Sequence, residues 1–220
     1  MSLAPTDYDF GDASNFFFAT TITCANDEAR AMYVEAYGHM LNYNHEQAIA
    51  CFTQCAELDP TCAMAYWGIA YCLSSSYNWA PGLGSGYDSI QLALANKDGC
   101  TELEIDLIDA LSLRHTKEAR DQMDPTVLNM GNTPELNAAF ATAMKPIYEK
   151  YAGNLDVASI YVEALMNLNP WQLWEKNTTT GEITPIDDNT LLLIKVIEDA
   201  FESSEEAKVH PALCHLYCHA

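Results

Sequence analysis

From Ala29 to Leu73, small, aromatic and proline side chains recur at the spacing of a helix–turn–helix unit of about 34 residues. With Ala29 as position 1, Met32 stands at position 4, Ala36 at 8, Ala48 at 20, Phe52 at 24 and Pro60 at 32. Starting again from Ala63, the residues Tyr66, Ile69, Ala70 and Leu73 take up the same frame. The spacing has a physical meaning. Ala36 and Ala48 let two antiparallel helices approach closely, Phe52 fills the gap between them, and Pro60 ends the second helix. Cys55 takes a small buried position. One such pair cannot bury its apolar face alone, so further helices must stack on it.

These positions resemble a tetratricopeptide repeat, and four further blocks resemble a family of bacterial tetratricopeptide-containing proteins. The blocks are Trp67–Ala70 with Tyr77–Asn78, Pro134–Tyr151, Glu163–Trp174, and His210–Ala220, the last reading HPxxxHxYxHA. The resemblance implies an all-α fold, a right-handed superhelix of antiparallel helix pairs (an α-solenoid) with no β-sheet. It assigns no reaction and no ligand. Members of that family are about twice this length or more. The last helix, from His210–Pro211 to Ala220, is expected to be the first of a pair whose second helix is missing, so this chain reads as an N-terminal piece of a longer repeat protein. The organisation expected is a single helical-repeat domain over 1–220. Residues 1–28 form a leading segment, 29–75 the clear repeat and the start of the next, and 76–220 divergent helical pairs.

Charge limits the partners. Ten basic residues face 31 acidic ones in 220, a net charge of −21. Such a surface repels phosphate backbones and excludes nucleic acid as a partner. It suits a basic protein or peptide partner, simple solubility or a saline habitat, and does not separate them. No apolar run approaches the roughly 20 residues of a membrane-spanning helix, and the opening MSLAPTDYDFGDASNFFF lacks the basic start of a secretory signal. Eight cysteines in a chain of this size, several on apolar helix faces, point to buried thiols in a reducing, cytoplasmic setting.

In chain order, Phe16–Phe18 is expected to close one end of the stack. Helices are expected over about 26–41, 45–58, 61–75 and 87–97. Between the last two lies a loop, Ser74–Gly86, with Trp79, Pro81 and three glycines. Thr101 and Glu104 form a capping box that opens the next helix, which fades between His115 and Met123. A linker, 124–132, precedes a helix capped by Thr133 with Pro134 at its first position and Pro146 inside it. The stripe Val157, Ile160, Tyr161, Ala164, Leu165, Leu168 marks another helix. Trp171–Ile186 reads as a long loop pinned by two indoles. The helix 187–203, apolar on nearly all sides at Leu191–Ile197, is expected to be buried.

The last stretch, HPALCHLYCHA, carries the chemistry. Leu213, Leu216, Tyr217 and Ala220 form a core stripe. Two pairs spaced i, i+4 lie on the other side, Cys214 with Cys218 and His215 with His219. Imidazoles and thiolates one turn apart suit zinc or copper, and His210 adds a third imidazole nearby. The alternative is that these side chains only pack and hydrogen-bond against neighbouring helices. The resemblance covers His210, His215 and His219 but neither cysteine, which favours the imidazoles. No catalytic residue is assigned. The leading expectation is a scaffold that binds a protein or peptide in a concave groove lined by Tyr33, Tyr37, Tyr66 and Tyr71. The alternative is a metal-binding protein or metalloenzyme centred on the terminal helix.

Overall fold

The computed structural model describes residues 21–74, 76–77, 85–122 and 134–220. The described residues are mostly helical and fall into two compact units. The first lies within 1–75 and 81–132, the second within 76–80 and 133–220. Phe16–Phe18, most of the Ser74–Gly86 loop, the 124–132 linker and the Thr133 cap lie outside the described residues.

The first unit contains α1 (Asp27–Leu41), α2 (His45–Leu58), α3 (Ala63–Leu73), α4 (Tyr87–Asn96), α5 (Glu102–Ser112) and α6 (Lys117–Asp121). Asn26 starts α1 by accepting the Ala29 N–H at 2.8 Å, which satisfies a helix-end donor. Tyr43, at φ 60°, lets the chain reverse between α1 and α2 in three residues. Ala36, Ala48 and Phe52 are fully buried, and the Phe52 ring lies tilted on that of Tyr33 with centroids 5.3 Å apart. Helix α3 packs on α2, and α4 and α5 pack on α3. The Trp67 indole N–H donates to the Leu107 carbonyl at 3.1 Å and fastens α3 to α5. The expected capping box is present at Thr101 and Glu104. The Glu104 carboxylate also accepts from the Thr23 N–H and hydroxyl at 2.6 and 2.7 Å. A short helix, α6, stands where the sequence shows only a fading pattern.

The second unit contains α7 (Pro134–Lys150), α8 (Leu155–Met166), β1 (Trp174–Lys176), β2 (Ile183–Pro185), α9 (Asp188–Ser203), a 3-10 turn (Glu206–Val209) and α10 (Pro211–Tyr217). Helix α7 runs on through Pro146. Helix α8 is central: every residue from Asp156 to Met166 is buried, and α7, α9 and α10 pack around it.

Three expectations are corrected here. The absence of a sheet fails, because β1 and β2 form an antiparallel hairpin with Glu175 opposite Thr184. The same hairpin replaces the long loop expected over Trp171–Ile186. Its strands expose almost every side chain, so no hydrophobic alternation marks it in the sequence. Asp187 then caps α9 by accepting the Asn189 and Thr190 N–H groups. The third correction concerns α9 itself. Leu193, Val196 and Ile197 are buried, but Leu191 is 53% exposed and Leu192 is exposed as well. Only one stripe of that helix faces a neighbour. Among the described residues no helix is long and apolar enough to cross a membrane.

Candidate functional site

The candidate site is built at the end of the second unit, where the chemistry-bearing stretch folds as α10. His210 starts that helix. Its Nδ1 accepts the Leu213 N–H at 3.3 Å, so that nitrogen bears no proton. The proton therefore sits on Nε2, which donates to Asp156 Oδ1 in the first turn of α8 at 3.2 Å. Both side chains are almost fully buried. With one nitrogen capping a helix and the other bonded to a carboxylate, His210 is not available as a metal ligand, contrary to the sequence expectation. Its work is to fix α10 on α8.

That assignment predicts a large structural effect. His210→Ala removes the cap and leaves a buried carboxylate short of a donor, so it is expected to destabilise the fold by about 3 kcal/mol. The readout is a lower urea midpoint at unchanged slope. His210→Asn restores the cap without reaching Asp156 and should recover about 1 kcal/mol of this.

Ala212, Leu213 and Leu216 pack inward from α10. Tyr217, expected on the core stripe, is 42% exposed; its hydroxyl donates to Glu198 on α9 at 3.0 Å. The thiols are occupied with backbone. Cys214 Sγ donates to the Lys208 carbonyl at 3.2 Å and Cys218 Sγ to the Cys214 carbonyl at 3.3 Å. Burial, then the neighbouring Cys218, pushes the Cys214 thiol up, away from the thiolate that a metal needs.

His215 and His219 do converge. Their Nε2 atoms are 3.3 Å apart, and the rings meet edge-on with centroids at 5.0 Å. Burial, then the neighbouring His219, holds His215 below its ordinary value, so at neutral pH its lone pair is free of a proton. Two imidazole nitrogens bonded to one tetrahedral zinc at about 2.0–2.1 Å would stand about 3.3–3.4 Å apart. The observed separation fits. Among the described residues no third imidazole, thiol or carboxylate atom joins both within 4.8 Å.

Aromatic side chains wall the pair. The Tyr77 ring lies 5.1 Å from His219, Trp171 meets His219 edge-on at 5.8 Å, and Tyr77 and Trp171 stack at 5.3 Å. Tyr77 is buried while Trp171 is 59% exposed. Trp171 holds a left-handed backbone, φ 63°, unusual for a bulky residue and of the kind that gathers at binding sites. The hairpin closes the far side, with Trp174 Nε1 donating to the Ala220 carbonyl at 2.7 Å. The sequence marks Trp171 only as a pin; its place against His219 depends on a sharp turn after Pro170 that no periodicity reveals.

The groove tyrosines fare differently. Tyr33 and Tyr37 are fully buried and stacked on each other in the first unit, and Tyr71 is 6% exposed and stacked on Trp67. These three fill the core and line no open groove. Only Tyr66 is half-buried, its hydroxyl on the Pro60 carbonyl at 3.1 Å. Two further groupings of ligand-type side chains, both in the first unit, escape the sequence reading: Cys24 with Cys55 and Cys62, and Glu35 with His39 and Cys51. Comparison with family models, with curated proteins and with solved structures finds no match to this chain.

Proposed function

We propose that the protein is a helical-repeat binding module that holds a transition-metal ion on His215 and His219. The observation that carries this reading is the 3.3 Å separation of the two Nε2 atoms beneath the aromatic wall of Tyr77 and Trp171. Two protein ligands leave the remaining coordination positions to water or to a bound molecule. The exposed Trp171 indole offers a flat apolar surface beside them. A tetratricopeptide-like right-handed superhelix is the architecture proposed with it, supported by the buried Ala36, Ala48 and Phe52 at the α1–α2 crossing. A basic protein or peptide partner, in place of nucleic acid, suits the net charge of −21. A cytoplasmic setting suits eight cysteines that are all free thiols.

Nickel is the probe that tests the site, because imidazole suits it and its paramagnetism quenches a nearby indole. In the wild-type protein, binding at this pair should be read as quenching of tryptophan emission. His215→Ala with His219→Ala should weaken binding by about 100-fold, equivalent to roughly 2.7 kcal/mol. Trp171→Phe should keep the affinity and lose the quenching. Equal affinity in wild type and the double variant, or a wild type that takes up no metal, would remove the proposal.

A further inference from the structure

Three thiols and a carboxylate converge in the first unit, far from α10 in sequence. Cys55 lies in the last turn of α2, Cys62 is the residue before α3, and Cys24 sits in the extended segment ahead of α1. The α2–α3 connection, Asp59–Pro60–Thr61, brings the first two together, and α1 packing on α2 brings up the third. Their ligand atoms all lie within 4.8 Å of one another. Cys55 and Cys62 are fully buried, while Cys24 is half-buried and opens the cluster to solvent. Asp59, 3% exposed, stands against Cys24. Its Oδ2 accepts from Cys24 Sγ at 3.4 Å and from the Ala25 N–H at 2.6 Å. Its Oδ1 accepts from the Thr61 N–H and hydroxyl at 3.0 and 2.6 Å.

We propose that Cys24, Cys55 and Cys62 form a metal centre of their own, a three-thiolate site for Zn²⁺ whose fourth position is left to water. The geometry requires little movement. Sulfurs on one tetrahedral zinc, bonded at about 2.3 Å, stand about 3.8 Å apart, so each pair closes by at most about 1 Å. Asp59, fixed by its bonds to Ala25 and Thr61, orients the Cys24 sulfur from outside the cluster. The cation also supplies a buried carboxylate with the opposite charge that a hydroxyl, a thiol and two backbone N–H groups do not.

Burial and the adjacent Cys62 push the Cys24 thiol up to about 11. Hydrogen bonding with Cys55, then burial, pushes Cys62 up as well. Empty, the cluster holds thiols that donate, Cys24 to Asp59 Oδ2 and Cys55 to the Ala29 carbonyl at 3.2 Å. Loading it forms three Zn–S bonds, breaks three S–H bonds and sends three protons to the buffer, with no change of oxidation state. The proposal is independent of the His215–His219 reading, because neutral imidazoles release almost no protons on binding.

The experiment is a titration of the reduced full chain with Zn²⁺ in buffers of different ionisation enthalpy, followed by Co²⁺ substitution. One tight equivalent should bind with release of about three protons, and Co²⁺ should give intense sulfur-to-metal charge-transfer absorption. Cys62→Ser, which places a good helix-capping residue ahead of α3, and Cys55→Ala, which keeps a small residue at the helix crossing, should each lower affinity by at least about 100-fold. Both should abolish most of the charge transfer. His215→Ala with His219→Ala should retain it. Zinc uptake without proton release, charge transfer that persists in Cys62→Ser, or a Cys55–Cys62 disulfide in the purified protein would each overturn the proposal. The proton count needs only the wild-type chain, so it stands even where a variant folds poorly.

Discussion

Acidification from pH 6.5 to pH 4 is expected to cost the first unit about 6 kcal/mol through two buried histidines, His115 and His45. His115 lies behind α5, buried, with Nε2 2.8 Å from the Ser74 hydroxyl. Burial, then the charge of Arg114, lowers it to about 3. His45, the first residue of α2, stacks on Tyr43, and its Nε2 meets no hydrogen-bond partner among the described residues. Burial lowers it to about 4. Both folded values lie below the ordinary 6.5, so between about 4 and 6.5 the unfolded chain binds protons that the folded one refuses. Stability is therefore fully present above pH 6.5. It falls with decreasing pH by about 1.4 kcal/mol per unit for each histidine. Over 2.5 units that is about 3 kcal/mol apiece, a large share of the roughly 5–15 kcal/mol that a domain has. Urea unfolding at a series of pH values checks it. The wild type should lose about 2–3 kcal/mol per unit, and His115→Gln or His45→Gln should each lose about half that. A slope identical in all three proteins would place the acid sensitivity elsewhere.

What the sequence shows of this molecule is what depends on local period. Helix α2 begins and ends where its apolar spacing and Asp59–Pro60 place it, and the Thr101–Glu104 box is a four-residue pattern that needs no tertiary context. Burial of Ala36, Ala48 and Phe52 follows from their spacing too. What fails is whatever depends on which neighbour arrives. Tyr33 and Tyr37 have the same residue type as a groove lining, and only the packing of α2 and α3 decides that they are core. Leu191 and Leu192 continue an apolar run, yet α9 turns them to solvent because its neighbours cover only the Leu193–Val196–Ile197 side. The histidine motif divides along the same line. The i, i+4 spacing correctly brings His215 and His219 together, since one turn of helix suffices for that. His210 falls outside it because its partner, Asp156, is 54 residues away in sequence. The three-thiol cluster is hidden for that reason: 31 residues separate Cys24 from Cys55, and each alone reads as a small buried hydrophobe.

Phe52→Ala is expected to destabilise the first unit by about 3–5 kcal/mol, through lost burial and the cavity left at the α1–α2 crossing. The side chain is fully buried, and the repeat spacing places it where two helices and the next one meet. Gly68 on α3 shows how closely that space is filled. A Cβ built on Gly68 would fall 2.5–2.6 Å from three carbons of the Phe52 ring. Glycine inside a helix costs about 1 kcal/mol relative to alanine, so its presence here reflects the ring. Gly68→Ala alone gains that propensity but forces the ring aside, an overpacking cost of about 1–3 kcal/mol. The net expected is a destabilisation of about 1 kcal/mol. In the Phe52→Ala background the clash is gone, and the added methyl both improves the helix and refills part of the cavity. There the same substitution should stabilise by about 1 kcal/mol. The two residues should thus couple by about 2 kcal/mol in a double-mutant cycle, with Gly68→Ala changing sign between backgrounds. Additive effects would mean that Phe52 does not stand over Gly68, and the close approach of α2 and α3 would lose its physical basis.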